Sequence, residues 1–68
     1  MSTASQNKRV LKHLETGRSL SPLIALERYG IMRLAARIFD LRQLGYRIES
    51  HRVKFGVKSW CSYLLDRA

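Results

Sequence analysis

The segment from Gly30 to Gly45 most constrains the fold, because these two glycines enclose a run with the length and periodicity of one helix. Apolar residues recur within it at the spacing of a helix face that packs on a core. They are Ile31, Leu34, Ala35, Ile38 and Leu41. The residues expected on the opposite, exposed side are Arg33, Ala36, Asp40 and Gln43, with Arg37 on the flank. The pattern predicts an amphipathic helix over residues 32–44, which Gly45 ends.

A shorter helix is predicted directly before it, over residues 22–29. Ser21 is suited to cap a helix and Pro22 to occupy its first position, while Gly30 is suited to end it. Two helices joined by a short turn are typical of the helix-turn-helix motif, whose second helix enters the major groove of DNA. The sequence therefore indicates residues 32–44 as a recognition helix.

The chain before this pair predicts one more helix, within residues 3–16. With Ser5 as its N-cap the helix covers residues 5–16, and Gly17 follows its end. Its apolar stripe consists of Val10, Leu11 and Leu14. Residues 18–20 are expected to form a short extended link.

After Gly45 the apolar period changes from helical to alternating, as in a half-buried strand. Residues 46–65 therefore predict a β-hairpin, in which residues 51–58 form a basic loop that bends at Gly56. Together these elements predict a mainly α fold with a small antiparallel β-hairpin, a winged helix-turn-helix. We expect a single domain over residues 1–68.

Net charge indicates the class of partner. The 68 residues include 13 Lys and Arg against 5 Asp and Glu, so the formal net charge is +8. Such a charge attracts polyanions. Most of the cations are Arg, which suits bidentate contacts with phosphate and guanine. Since 46% of the residues are hydrophobic, a disordered tail is excluded.

Catalytic and metal sites find no support in the sequence. The single cysteine, Cys61, excludes an internal disulfide, and with only His13 and His51 beside it no tetrahedral zinc set can form within one chain. No nucleophile–base spacing and no phosphate-binding glycine loop occurs. We therefore expect no enzyme activity, cofactor, metal or small-molecule substrate. No apolar run spans a bilayer and the N-terminus is no signal peptide, so we expect a cytoplasmic protein without a membrane partner.

One stretch of the chain, residues 30–48, resembles the core of small winged helix-turn-helix proteins of bacteriophages and prophages. It reads Gly-Ile-Met-Arg-Leu-Ala-Ala-Arg-Ile-Phe-Asp-Leu-Arg-Gln-Leu-Gly-Tyr-Arg-Ile. The opening Gln-Asn-Lys-Arg-Val-Leu-Lys-His-Leu and the closing Tyr-Leu-Leu are similar too. The resemblance implies a winged-helix fold, DNA binding and a bacterial host cell. Phe39 departs from the pattern, in which this position is small or polar.

Arg33 and Arg37 are the leading candidates for base contacts, because they lie at the start of the predicted recognition helix and one turn later. Ala36 between them is small enough to let the backbone approach the groove floor, and Gln43 lies on the same side. The alternative for Arg37 is an ion pair with Asp40, which would orient the arginine or merely solvate the helix. Asp40 could instead accept a hydrogen bond from a cytosine amino group.

The predicted hairpin loop carries Arg52, Lys54 and Lys58. A basic wing of this kind follows the DNA backbone or enters the minor groove. The alternative is a solvated hairpin edge, which lysines protect from aggregation.

Two further groups of cations have different expected roles. Lys8, Arg9 and Lys12 form a basic patch on the first helix that could contact phosphate. Arg42 lies near the apolar stripe of the recognition helix, and we expect it to form an ion pair within the protein.

Phe39 and Trp60 are apolar residues that the predicted core does not require. Each could cap the core, and the alternative is a contact with a second subunit. We expect a monomer in solution, since the net charge opposes free dimers, and a second copy pairing on a DNA repeat.

Double-stranded DNA is the expected partner, and the expected role is that of a small phage or prophage transcriptional regulator. A factor for excision or DNA packaging would have the same sequence features. A different class remains open, a protein-interaction module that uses the winged helix as a scaffold. Its sign would be a surface centred on Phe39, Trp60 and Tyr29, with the basic groups at its edge.

Overall fold

The computed structural model describes residues 3–66, which form three helices and one antiparallel hairpin. The elements, in chain order, are α1 (Thr3–Glu15), α2 (Pro22–Tyr29), α3 (Leu34–Gln43), β1 (Ile48–Phe55) and β2 (Lys58–Leu65). This order and the two-stranded sheet confirm the predicted winged helix-turn-helix fold. Residues 1, 2, 67 and 68 of the expected domain lie outside the described residues.

The core lies where the three helices meet the base of the hairpin. Its buried hydrophobic side chains are Val10, Leu14, Leu20, Ala25, Ile31, Leu34, Ile38, Leu41 and Ile48. The three that α3 supplies, Leu34, Ile38 and Leu41, follow one stripe of that helix. Burying a side chain of this kind stabilises the fold by about 1.5–3 kcal/mol. Packing therefore holds α3 by its inner side.

Helix α2 begins and ends where the sequence predicts. The Ser21 hydroxyl accepts a hydrogen bond from the backbone N–H of Ile24 at 3.3 Å, and Pro22 is the first helical residue. At the other end Gly30 has a φ of 66° and donates its N–H to the Leu26 carbonyl at 3.0 Å. Because side chains disfavour this left-handed conformation, glycine allows the chain to leave α2 sharply and enter α3.

Helix α3 starts two residues later than the predicted boundary at Met32. Arg33 is its N-cap, with φ −118° and ψ 66°, and Leu34 is the first helical residue. The chain needs this non-helical stretch after Gly30 to redirect itself between the two helices. Met32 and Arg33 therefore belong to the turn of the helix-turn-helix.

The end of α3 also precedes the predicted end by one residue. The helix ends at Gln43, and Gly45 follows with a φ of 103°. The backbone N–H of Tyr46 then donates to the Leu41 carbonyl at 3.2 Å. Because this hydrogen bond belongs to the helix end, the first strand begins at Ile48 and not at residue 46.

The hairpin loop is the largest difference between the predicted and the observed elements. Strand β1 continues through most of the predicted loop over residues 51–58, so only Gly56 and Val57 remain in the turn. A glycine with a φ of 62° occupies the first turn position, which suits a two-residue hairpin connection. The predicted basic loop is therefore wrong, since its cations lie on the two paired strands.

Helix α1 lies within the predicted segment 3–16 but differs at both ends from the range 5–16, which takes Ser5 as the N-cap. It starts at Thr3, so Ser5 lies within the helix and is not its N-cap. It ends at Glu15, one residue early, where the Thr16 hydroxyl donates to the His13 carbonyl at 2.5 Å. This bond caps the helix end before the chain turns.

The link between α1 and α2 pairs with the hairpin at one position. The backbone N–H of Leu20 donates to the Tyr63 carbonyl at 2.8 Å, and the Tyr63 N–H donates to the Leu20 carbonyl at 2.9 Å. This isolated antiparallel bridge confirms the expected extended link. It joins the hairpin to the segment that leads into α2.

Candidate nucleic-acid interface

The exposed side of α3 agrees with the prediction only in part, since Arg33 and Gln43 are exposed as expected. Ala35, Phe39 and Gln43, each four residues apart, form an exposed row along the helix, which we call the outer row. Ala35 was expected in the buried stripe, whereas Ala36 and Arg37, expected to be exposed, are half-buried. Successive residues of a helix are about 100° apart, so the exposed side is rotated by roughly one residue.

Contacts with α1 explain this rotation. Arg37 donates from Nε to Asp40 Oδ2 at 3.1 Å and from Nη1 to Gln6 Oε1 at 3.3 Å. Asn7 donates from Nδ2 to the same carboxylate at 3.4 Å. Of the two alternatives for Arg37 and Asp40, the ion pair between them is present, and the Arg37 side chain is only 17% exposed. The N-terminal half of α1 therefore covers one side of α3.

Arg33 lies at the start of α3 with its side chain exposed. It lines a shallow cleft of about 340 Å³ together with Pro22 at the start of α2 and Tyr63 of the hairpin. The first N–H groups of a helix have no partner within the helix, and they give this end a partial positive charge. The cleft therefore unites two helix N-termini, one strand and an arginine, which makes it attractive to anions.

Arg42 has a different partner from the expected one. Its Nε and Nη2 donate to the backbone carbonyl of Ile48 at 3.1 and 2.6 Å. The predicted ion pair is therefore wrong, because the acceptor is a peptide carbonyl and not a carboxylate. A planar guanidinium can supply both donors at once. The pair of bonds connects the last turn of α3 to the first residue of β1.

The hairpin cations divide between the two faces of the sheet. Side chains alternate along a strand, so Arg52 and Lys54 lie on the same face as Ile48, which packs in the core. Lys58 pairs with Phe55 on the opposite face. All three cations are exposed, and no ion pair involves them within residues 3–66. The face that meets the helices thus continues outward as a basic surface.

The outer half of the hairpin, residues 51–60, is the wing. Its tip exposes Phe55 and Val57, and Phe55 is 78% exposed. Trp60 is half-buried and lies opposite Val53 on the face of the sheet away from the core. Trp60 is therefore not a member of the core cluster, and its side chain lies beside that of Val53 on the wing.

The cations of α1 border a second cleft. Lys8, Arg9 and Lys12 are exposed, and Arg9 and Lys12 line a cleft of about 530 Å³ with Arg18 and Arg28. No residue of α3 or of the hairpin lines it, and none of these cations forms an ion pair within the described part of the chain. Sequence reasoning missed Arg18 and Arg28, since only the packing of α1 against α2 brings them together.

The floor of this cleft is a hydrogen-bonded histidine. His13 is buried, and its Nε2 lies 3.0 Å from the Ser19 carbonyl, which can only accept. Its Nδ1 lies 2.7 Å from the Tyr29 hydroxyl. Both ring nitrogens are therefore satisfied, so His13 has a structural role that joins α1 to α2.

Neither a metal cluster nor a membrane-crossing helix is found within residues 3–66. In that range no three His, Cys, Asp or Glu side chains come close enough to hold a metal ion. No helix there is long and apolar enough to cross a membrane. The free thiol of Cys61 lies half-buried on β2.

Comparison with known proteins gives one match. A family model described as a winged helix-turn-helix domain matches residues 5–62 of the chain. No curated protein and no solved structure matches it significantly. The matched range includes most of α1, all of α2 and α3 and most of the hairpin, so it contains every cation considered above as a contact.

Proposed function

The chain belongs to the winged helix-turn-helix domain family, and from that premise we propose that it binds double-stranded DNA as a small phage or prophage regulator of transcription. Helix α3 enters the major groove, and the wing contacts the backbone or the minor groove. The family points to DNA as the partner and to a non-catalytic role. Such a regulator acts in the cytoplasm of the bacterial host.

The observation that carries this proposal is that exposed cations with no ion pair among residues 3–66 lie at the start of α3 and on the core-facing side of the hairpin. Arg33 stands at the start of α3, and Arg52 and Lys54 extend from the helix-facing side of the hairpin. The 10 residues of α3 make a helix about 15 Å long, and an α-helix with a diameter of about 10–12 Å fits a major groove about 12 Å wide. Cations flanking an inserted helix neutralise the phosphates on either side of the groove.

Individual residues have different roles in this proposal. Arg33 and Gln43 contact base edges, because both are exposed and both carry donors in the geometry that base edges accept. Arg37 is held by Asp40 and Gln6 in a fixed orientation beside the groove, and the small side chain of Ala36 lets the helix approach. The phosphate contacts come from five other exposed cations, Arg52, Lys54, Lys58, Lys8 and Arg9.

A salt titration of DNA binding tests the proposal. Fluorescence anisotropy with a labelled duplex of mixed sequence should give a log affinity that falls against log salt with a slope of roughly −4 to −5, as expected for four to six neutralised phosphates. Lys58→Ala should make the slope shallower by about one. The matched control is Lys58→Arg, which keeps the charge and the slope. Absence of duplex binding at low salt would refute the proposal.

The oligomeric part of the proposal needs a separate measurement. We propose a monomer in solution that pairs with a second copy on repeated DNA sites, because the net charge of +8 repels free copies. Sedimentation at micromolar concentration and moderate salt should give a single species of 7.9 kDa. A stable dimer without DNA would contradict this part alone.

The rival proposal, a protein-interaction module, lacks the surface that would favour it. Phe39 lies on the outer row of α3, whereas Tyr29 lines the cationic cleft between α1 and α2. Trp60 lies on the outer face of the hairpin opposite Val53. The three aromatic side chains thus lie on three different elements, α3, α2 and β2.

A further inference from the structure

Phe39 is the largest side chain on the outer row of α3, and the core does not use it. It is 60% exposed at the middle of the helix, with Ala35 one turn before it and Gln43 one turn after it. An exposed aromatic at this position loses the stability that burial would add. A partner that covers the outer row would recover that loss.

We infer that Ala35 and Phe39 contact thymine 5-methyl groups in the major groove, so that the outer row of α3 recognises a short A·T-rich site. This inference rests on the proposed DNA binding and names the bases that the helix selects. In the major groove thymine alone offers a methyl group, and small or aromatic apolar side chains are suited to meet it. Gln43 on the same row can donate a hydrogen bond to N7 of adenine and accept one from its N6 amino group.

The dimensions of the row predict the length of the site. From Ala35 to Gln43 the helix rises about 12 Å, since each residue adds 1.5 Å. Base pairs are about 3.4 Å apart along the duplex, so the row spans three to four of them. Ala35 and Phe39 are about 6 Å apart along the axis and therefore meet methyl groups roughly two base pairs apart.

The charges around the row favour DNA over a second copy of the chain. Arg33 precedes the row. Arg52 and Lys54 lie on the face of the hairpin whose base packs against the helices. No carboxylate lies on the row itself, because Asp40 is turned toward Arg37 and Asn7. A surface of this kind repels another copy and attracts a polyanion.

Replacing thymine with uracil tests the inference, because uracil lacks only the 5-methyl group. The probe is a 20-base-pair duplex with a central run of alternating A·T pairs, compared with the same duplex carrying uracil in that run. Removing each contacted methyl should weaken binding about fourfold, so two contacts give roughly a tenfold to twentyfold loss. The same duplex with a central G·C run should bind more weakly than the thymine duplex.

Two variants separate a base contact from general effects on binding. Phe39→Ala should remove most of the difference between thymine and uracil duplexes. Its exposure predicts that the variant folds, and circular dichroism checks this. Leu44→Ala is the matched control, since Leu44 is also exposed and apolar but lies beyond the outer row at the end of α3. The control should retain the thymine preference.

The outcomes are distinguishable from failure of the proposed function. If no duplex binds at low salt, the DNA-binding proposal fails and this inference fails with it. If duplexes bind but thymine and uracil bind equally, only the inference is overturned. It is also overturned if wild-type protein sediments as a dimer that Phe39→Ala dissociates, because the outer row is then an interface between copies.

Discussion

Helix α3 and the wing both present exposed residues, but they are held in place very differently. Leu34, Ile38 and Leu41 fix the inner side of α3 in the core. In β1 only Ile48 is buried, and from there to the tip the strand is exposed or half-buried. Helix α3 is thus packed on the core along its whole length. The wing extends beyond the core and is held by the hydrogen bonds between its two strands.

This difference suits two kinds of contact with DNA. A contact with a base edge depends on distances and angles that a rigid element can keep, whereas a contact between a cation and phosphate tolerates movement. The rigid helix is therefore suited to recognise the DNA sequence. The wing is suited to add affinity for duplex DNA of any sequence.

The largest effect is expected from the core side of α3. Ile38→Ala should lower the free energy of unfolding by about 2–5 kcal/mol, because it leaves a cavity where the side chain is fully enclosed. A domain this small is stabilised by only about 3–5 kcal/mol from its core, so much of the variant should be unfolded. Urea unfolding followed by Trp60 fluorescence measures this. Val53→Ala on the wing should cost about 1 kcal/mol or less, and equal losses would contradict the comparison.

The next largest effect concerns DNA. Arg33→Glu should reduce the preference for a selected site by roughly tenfold or more, because it replaces a donor to base edges with a charge that repels the duplex. Lys54→Ala should instead weaken selected and random duplexes by a similar factor. Competition binding with both duplexes separates the two outcomes. Uniform loss for both variants would show that α3 does not distinguish bases.

Two glycines allow a matched comparison of the turns. Gly30 in the helix-turn-helix and Gly56 in the wing both have a φ near 60°, and a Cβ would meet no atom within 4 Å at either. Alanine therefore adds the same local strain at both positions, about 1–2 kcal/mol. Gly30→Ala should lower global stability by that amount. Gly56→Ala should chiefly increase amide hydrogen exchange at the tip.

The smallest effect is expected from the ion pairs. Arg37→Gln should cost about 0.5–1 kcal/mol, since the pair with Asp40 is half-buried and Arg37 also reaches Gln6. His51→Gln should change the free energy of unfolding by much less, because both His51 and its partner Glu49 are more than half exposed. Thermal unfolding with matched buffers compares them. A larger loss of unfolding free energy for His51→Gln than for Arg37→Gln would contradict the conclusion that α3 is held more firmly than the wing.

The elements of the fold could be predicted from sequence because each has a local signal. Ser21 and Pro22 mark the start of α2, Gly30 ends it, and the change of period after Gly45 predicts the hairpin. The wing turn could not be placed as well. Its strands are exposed toward the tip, so alternation of apolar residues fades there and only Gly56 marks the turn.

The exposed side of α3 could not be predicted, because it depends on what covers the helix. Periodicity located the buried stripe but assigned Ala35 to it, and only tertiary contacts, such as that of Gln6 with Arg37, reveal which flank α1 occupies. The cationic cleft has the same origin. Arg18 and Arg28 line the same cleft as Arg9 because α1 and α2 pack together. The spacing of these residues along the chain does not predict that they are neighbours.

The bridge between Leu20 and Tyr63 also limits which loops can change length. Both hydrogen bonds of that bridge depend on register, so a residue inserted between Gly17 and Leu20 must bulge out of the link or shift the pairing, and a shift by one residue would turn the Leu20 side chain from the core to solvent. The turn at Gly56 has no such constraint, because it lies at the exposed end of the hairpin, far along both strands from the pair of Ile48 with Leu65. Relatives of this chain should therefore vary in wing length while keeping the number of residues between α1 and α2.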